Sequence, residues 1–203
     1  MTISEAERGR IALAIREVEA RSSGEIVCVL AQASSDAKAL PILVAAVVAL
    51  ALPWLLVVLT AMPVYRILSL QALTFVALVL ALCAPRVRVS LLPRRARRAA
   101  AHRAAMEQFT IRGIARKKER TGILIFVSLA EHYARIIADD GISSRVPQSE
   151  WQGAVDALVD HMRSDRIADG FIVAIERCGK ALEANFPRSG ASRDELPDRI
   201  YVI

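Results

Sequence analysis

The stretch from Ala39 to Pro85 contains no Asp, Glu or Lys, and Arg66 is its only charged residue. This absence excludes an ordinary surface segment, because neither half of the stretch has a polar face. As helices, residues 39–62 would span about 36 Å and the apolar run 67–84 of the second segment, 67–85, about 27 Å, against about 30 Å for the core of a bilayer. The sequence therefore predicts two transmembrane helices that form a tight hairpin around Pro63–Arg66. Two buried helices of a soluble protein are the alternative.

Cysteines and catalytic signatures are also scarce. Cys28, Cys83 and Cys178 are the only cysteines, and they lie far apart in apolar surroundings without a metal-type pairing. We expect them to be buried thiols of a reducing compartment. The sequence has no Gly-rich phosphate loop, Gly-x-Ser-x-Gly elbow, His-Glu-x-x-His helix or Cys-x-x-Cys pair. Whether the protein is an enzyme therefore stays open at this point.

Positive charge is concentrated directly after the apolar stretch. Residues 85–120 contain twelve Lys and Arg against two Glu, whereas the whole chain has a net charge of +6. Arginines beside membrane spans stay in the cytoplasm, so we expect both flanks of the hairpin on the cytoplasmic side of a bacterial inner membrane. The charged N-terminus is unlike a cleavable signal peptide, and nucleic-acid binding is disfavoured because aromatic residues do not interleave with the charges. The predicted contacts to anionic lipid headgroups are Arg86, Arg88, Arg94, Arg95, Arg97 and Arg98.

The rest of the chain has the pattern of a single α/β domain. One helix and one strand before the hairpin cannot form a core, so residues 1–38 and 99–203 should fold together, with 86–98 as a basic juxtamembrane segment. Two strands that are apolar on both faces indicate helices on both sides of the sheet. The predicted helices are 4–21, 93–120, 148–163 and 165–186, and the predicted strands are 25–31, 123–129, 133–139 and 200–203.

Four aspartates follow the third strand or begin the last helix. Asp139 and Asp140 end the strand, while Asp165 and Asp169 are spaced to share one helical face. If these places meet, three or four carboxylates converge and suit Ca²⁺ or Mg²⁺, and a hydrolytic site could use such a metal. The alternative is structural: Asp140-Gly141 as a turn, Asp165 as a helix cap and Asp169 as a partner of the helix dipole.

Two further residues border this region. Glu25 begins the first strand and may share an edge with the aspartates, although an exposed strand end is the simpler interpretation. His132 follows the second strand and could act as an acid or a base, but its position beside Glu131 in a polar turn favours a solvated side chain. No catalytic residue is assigned from the sequence.

Several motifs together resemble a known family. Ser22–Val27, Arg120–Leu129, Ala138–Ile142 and Asp169–Phe171 are similar to the TPM domain family, also called the repair-phosphatase family. The resemblance covers residues 3–37 and 106–186 and is greatest for short bacterial membrane proteins in which a transmembrane hairpin is inserted in the domain. It implies a compact α/β/α sandwich, split here by the hairpin.

The functions of that family are diverse. Its members include a thylakoid-lumen protein of photosystem II repair, for which acid phosphatase activity has been proposed, and an animal modulator of acetylcholine receptors. They share a domain rather than one activity. We therefore predict a membrane-anchored interaction or scaffold module that binds another membrane protein. A membrane-anchored phosphatase dependent on Ca²⁺ or Mg²⁺ is the alternative.

Overall fold

The structure is a computed structural model that describes residues 3–34, 39–60, 62–82, 93–116, 120–188 and 196–203. It divides into two compact units. The first, the α/β unit, comprises Met1–Ser34 and Ala101–Ile203, and the second, the hairpin unit, comprises Ser35–Ala100. The chain thus leaves the α/β unit after its first strand and returns to it for the rest of the sheet.

The secondary structure of the described residues alternates between helices and strands. The helices are α1 (Glu5–Glu19), α2 (Ala39–Leu59), α3 (Val64–Leu82), α4 (Arg94–Ile111), α5 (Asp140–Ser143), α6 (Gln148–Arg163) and α7 (Ile167–Asn185), with a 3₁₀ turn at Ile114–Arg116. The strands are β1 (Glu25–Ala31), β2 (Gly122–Ser128), β3 (Tyr133–Ala138) and β4 (Ile200–Val202).

The four strands form one mixed sheet in the order β3-β2-β1-β4. β1 pairs in parallel with both β2 and β4, whereas β3 is antiparallel to β2. The two central strands are buried along their whole length. This burial explains why their sequences are apolar without alternation, as expected for strands that are covered on both faces.

Each face of the sheet has its own hydrophobic core. Alternate residues of β1 and β2 point to opposite faces. On one face they pack with apolar residues of α1, α6 and α7, among which Trp151 and Phe171 are the largest. On the other face they pack with Ala105 and Phe109 of α4 and with Ile114. The predicted α/β/α sandwich is therefore confirmed.

Helix α1 begins with the capping box that its sequence predicts. The Glu7 backbone N–H donates to Ser4 Oγ, and the Ser4 backbone N–H and hydroxyl donate to Glu7 Oε2 at 2.8 and 2.7 Å. These bonds from Ser4 lower the pKa of Glu7, with a smaller contribution from the charge of Arg10. The cap fixes where α1 starts, and its buried residues Ile11 and Ile15 then face the sheet.

The hairpin unit contains α2 and α3, which contact each other, and the first residues of α4. The first helix ends at Leu59, close to the predicted end, but the second begins at Val64 rather than after Arg66, so the predicted turn at 63–66 is mostly helical. Small residues lie where the two helices meet: Ala45 and Ala49 are buried. The remaining surface is apolar and exposed, with Trp54 at 80 % and Val58 at 81 % exposure.

Candidate functional site

Two buried carboxylates lie where the central strands begin. Glu25 starts β1 and pairs in register with Gly122 at the start of β2. Asp139 follows β3 and donates its backbone N–H to the Gly122 carbonyl oxygen at 2.9 Å. Glu25 and Asp139 are only 3 % and 5 % exposed. The two acidic residues therefore flank one glycine at the end of the sheet where β1 and β2 begin. The interpretation of Glu25 as an exposed strand end is wrong.

Gly122 is required by the close approach of the 3₁₀ turn. A Cβ atom at this position would lie 2.3 Å from Ile114 Cγ2, which no real contact allows. Ile114 is fully buried and covers the start of β2. An apolar side chain consequently packs against the glycine that lies between the two acidic positions.

Asp139 has one oxygen in a cap and one without a donor. Its Oδ1 accepts the Asp140 backbone N–H at 2.7 Å and caps α5. Its Oδ2 is buried, and among the described residues it has no hydrogen-bond donor. Buried polar atoms usually have a hydrogen-bond partner, so this oxygen marks Asp139 as a candidate functional residue.

Asp140 is not in a turn, in contrast to the prediction for Asp140-Gly141. It is the first residue of the short helix α5, because Asp139 caps that helix and turns the chain into it. The side chain is exposed and forms a 2.6 Å ion pair with Arg120. An exposed pair of this kind contributes at most about 1 kcal/mol.

The other two aspartates lie at the start of α7 and differ from each other. Asp165 does not cap the helix: Arg166 occupies the cap position without a side-chain bond, and Asp165 has a positive φ of 59°. Asp tolerates this left-handed conformation better than most residues, which explains its presence there. Asp169 does lie in the first turn of α7, where it pairs with Arg10 of α1 at 2.6 Å.

The four aspartates do not converge. Among the described residues no group of three or more His, Cys, Asp or Glu side chains is placed to hold a metal ion. Asp169 is engaged by α1 and Asp165 lies outside the helix, so the shared helical face that would unite them does not exist. Binding of Ca²⁺ or Mg²⁺ to these residues stays a prediction.

A polar network at the opposite end of β1 and β2 was not predicted from the sequence. Glu131, assigned to a solvated turn, is only 5 % exposed. It accepts hydrogen bonds from the Ser128 hydroxyl and, at 2.9 Å, from the Ser34 backbone N–H, and the Ser34 hydroxyl donates to Ser128 Oγ at 2.8 Å. The network joins Ser34 after β1 to Ser128 at the end of β2 and to Glu131 after it. Ligands of α/β folds often bind at this end of parallel strands, but here the groups bond to one another.

The histidines do not form a catalytic pair. His132 is exposed and has a positive φ of 50°, as suits a solvated residue of a tight turn. His102 Nδ1 lies 3.4 Å from the Tyr133 hydroxyl, and His161 Nδ1 lies 2.9 Å from the Ala157 carbonyl oxygen. The rings of His102 and His161 thus have local partners, and His132 is exposed to solvent.

Two cysteines are buried thiols, as predicted. Cys28 and Cys178 are both free and fully buried in the core between the sheet and α7. Burial raises the pKa of Cys178 to about 12 and raises that of Cys28 well above the usual range of a thiol. Both side chains are therefore neutral and unreactive at neutral pH. Cys83 lies outside the described residues.

We expect Cys178 to make the folded protein sensitive to alkali. An unfolded thiol ionises above about pH 8.5, while buried Cys178 stays protonated until about pH 12, so its contribution to stability is present below about pH 8.5 and is lost as the pH rises. Between pH 8 and 10 the parent should lose about 2 kcal/mol more than Cys178→Ala, measured by urea unfolding at each pH. Equal losses in the two proteins would contradict the assignment.

The structure describes four of the six arginines that are predicted to contact lipid. Arg94, Arg95 and Arg98 are exposed on the first turns of α4, and Arg97 is half-buried. Arg86 and Arg88 lie outside the described residues. The first turn of α4 contains no acidic residue. Cations at the positive end of a helix dipole are unfavourable, so an anionic surface at this place would stabilise the helix.

Comparison with known proteins agrees with the fold. A family model described as the TPM domain matches residues 85–181. The NMR structure of the BA42 protein from the psychrophilic bacterium Bizionia argentinensis is similar, with a TM-score of 0.63 and 20 % sequence identity, over 100 % of this chain and 97 % of that one. At this identity the likeness concerns the fold alone. No curated protein matches the chain.

Proposed function

Because the chain contains a TPM domain and belongs to the TPM domain family, we propose that it is a membrane-anchored interaction module. In this proposal the hairpin unit crosses the bacterial inner membrane twice, and the α/β unit lies in the cytoplasm and binds another membrane protein. A family that shares a domain without sharing one activity is compatible with a binding role.

The exposed apolar surface of the hairpin is the observation on which the proposal rests. Two apolar helical segments, Pro41–Leu59 and Val64–Leu82, are each 19 residues long. In the most apolar part of each, only 11 % of the residues of the first and 6 % of those of the second are buried. A core helix of a soluble protein would be mostly buried instead. Surfaces of this size and polarity are stable in hydrocarbon and not in water.

The pairing of the sheet supports an even number of crossings in this proposal. β1 precedes the hairpin and β2 follows it, yet the two strands pair along seven residues. Both must therefore lie on the same side of the membrane, which two crossings provide and one does not. The arginines that follow α3 favour the cytoplasmic side, because positive charge near span ends is retained there.

The arginines at the start of α4 support a lipid contact. Residues 93–100 contain Arg94, Arg95, Arg97 and Arg98 and no acidic residue. Each such charge near an anionic leaflet contributes about 1 kcal/mol to membrane binding. We attribute to this segment a contact with anionic headgroups, in addition to the anchoring by the hairpin. No observation of the described residues favours the metal-dependent phosphatase over the binding role.

Topology reporters test the proposal. We expect the full chain to resist alkaline extraction from membranes, and we expect a green fluorescent protein fused after Ile203 to fluoresce while alkaline phosphatase at the same place stays inactive. Alkaline phosphatase inserted between α2 and α3 should be active, and it serves as the control for export. An active alkaline phosphatase after Ile203, or release of the chain by alkali, would contradict the proposal.

A further inference from the structure

The outer edge of β4 has backbone groups that no described strand engages. β4 is the last strand of the sheet, and only β1 pairs with it. Ile203, the residue after β4, donates its backbone N–H to the Leu30 carbonyl oxygen at 3.0 Å. Its own carbonyl oxygen accepts the Gln32 backbone N–H at 2.8 Å. Backbone groups alternate in direction along a strand, so those of Tyr201 also face β1. The N–H and C=O groups of Ile200 and Val202 consequently face outward.

An open groove lies along this edge. It has a volume of about 620 Å³ and is lined by α1 on one side, by Arg112 after α4 on the other and by Arg199 to Val202 along its floor. Its α1 wall includes Gly9 and Ala12, whose small side chains leave room beside the strand. Ile200, which is 6 % exposed, and the partly exposed Val202 thus both line this groove.

The groove is positively charged. It contains three arginines, Arg8, Arg112 and Arg199, against the single carboxylate of Glu5. Glu5 pairs with Arg8 at 3.0 Å, and the Arg8 Nε is buried without an acceptor among the described residues. Two positive charges therefore remain unbalanced by the residues that line the groove.

Tyr201 fixes the position of those two charges. The guanidinium groups of Arg112 and Arg199 lie 3.7 and 4.7 Å from the centre of its ring. Within the described residues neither guanidinium pairs with a carboxylate. Stacking on an aromatic ring uses the flat face of a guanidinium, so the N–H groups in its plane can bind carboxylates. The exception is the Arg112 Nε–H, which donates to Gln108 Oε1 at 3.1 Å.

We propose that this edge binds an extended acidic segment of a partner protein. The segment adds to the sheet as a strand beside β4, exchanges backbone hydrogen bonds with Ile200 and Val202, and places carboxylates against Arg112 and Arg199. An extended polypeptide offers N–H donors and C=O acceptors at the spacing of an open strand edge, whereas a free phosphate cannot match that spacing. The inference rests on the proposed function as an interaction module, and it names the partner's binding element.

The test uses the full chain in detergent micelles and two fluorescein-labelled peptides of eight residues, one alternating Glu with Val and one alternating Lys with Val. We expect saturable binding of the Glu peptide, measured by anisotropy, and none of the Lys peptide. Arg112→Glu and Arg199→Glu should each weaken binding more than tenfold. Arg135→Glu is the matched control, since Arg135 is an exposed arginine on β3 at the other edge of the sheet, and it should leave binding unchanged.

Val202→Pro tests the strand pairing separately from the charge. Proline removes the outward N–H of Val202 and keeps the bonds of Tyr201 and Ile203 to β1, as edge strands allow. We expect this variant to stay folded by circular dichroism and to lose binding of the Glu peptide. In the parent, the peptide should slow hydrogen exchange of the Ile200 and Val202 amides.

Three outcomes would overturn the inference. They are equal binding of the two peptides, binding that the arginine variants leave unchanged, and binding that survives in folded Val202→Pro. If inorganic phosphate displaces the peptide and Val202→Pro has no effect, the groove is an anion site and not a strand acceptor. None of these results alters the reporter topology, so failure at this edge is distinguishable from failure of the proposed function.

Discussion

Leu50→Arg is expected to abolish stable membrane insertion of the hairpin. Leu50 lies at the centre of the Pro41–Leu59 span and is 63 % exposed. At the centre of a membrane helix, replacement of Leu by Arg costs about 3 kcal/mol of insertion free energy, or roughly a hundredfold in the inserted fraction. Alkaline extraction of membranes, followed by immunoblotting of pellet and supernatant, measures this fraction directly.

Leu13 provides a matched control for that experiment. It is 58 % exposed on α1 of the α/β unit, so its surroundings in the structure are as open as those of Leu50. In water an exposed leucine is replaced by arginine with a change in stability within about 0.5 kcal/mol. Leu13→Arg should therefore remain in the membrane pellet. If both variants behave alike, the exposed surface of α2 does not face lipid.

Glu131→Ala should produce the largest loss of stability in the α/β unit among single polar substitutions. Removal of this buried carboxylate leaves the Ser128 hydroxyl and the Ser34 backbone N–H without their acceptor. Hydrogen bonds to a charged acceptor contribute about 1.5–3 kcal/mol, and a buried donor left unpaired adds a penalty. We expect a loss of about 3 kcal/mol, seen as roughly hundredfold faster hydrogen exchange of the β1 and β2 amides.

Glu176→Ala is the control for Glu131→Ala. Glu176 is an exposed residue of α7. Its replacement should change the free energy of unfolding by less than about 0.5 kcal/mol, because the side chain is exposed and alanine at this position is exposed as well. Similar exchange rates for Glu131→Ala and the parent would show that the Ser34–Ser128–Glu131 network does not hold the ends of the two strands together.

The elements with strong local signals were predictable from the sequence. The capping box gave the start of α1, the apolar stripe gave α6 at Gln148–Arg163, and the apolar run gave β1 at Glu25–Ala31. In each case one local signal, such as the cap or the hydrophobic periodicity, determines the secondary structure of a short stretch of sequence. The assembly of one domain from both sides of the hairpin followed from the fact that one helix and one strand cannot form a core.

The candidate site was less predictable because Asp residues fit several local conformations. Asp165 was expected to cap α7, but the chain there adopts a positive φ. Asp140 was expected in a turn, but the cap on Asp139 starts a helix instead. The burial of Glu131 depends on Ser34, which is distant in sequence. Such choices are decided by contacts that are remote in the chain, and local propensity cannot reveal them.

The position of the hairpin also sets an order of assembly during synthesis. Glu25 and Gly122 pair in the sheet, and at about 5–20 residues per second the ribosome needs roughly 5–20 s to reach the second after the first. In the topology that we propose, α2 and α3 enter the lipid during that time, when β1 has been made and its partner has not. Folding of the α/β unit would then be completed only after insertion. Any delay at the translocation machinery leaves an apolar strand open to chaperones and to aggregation.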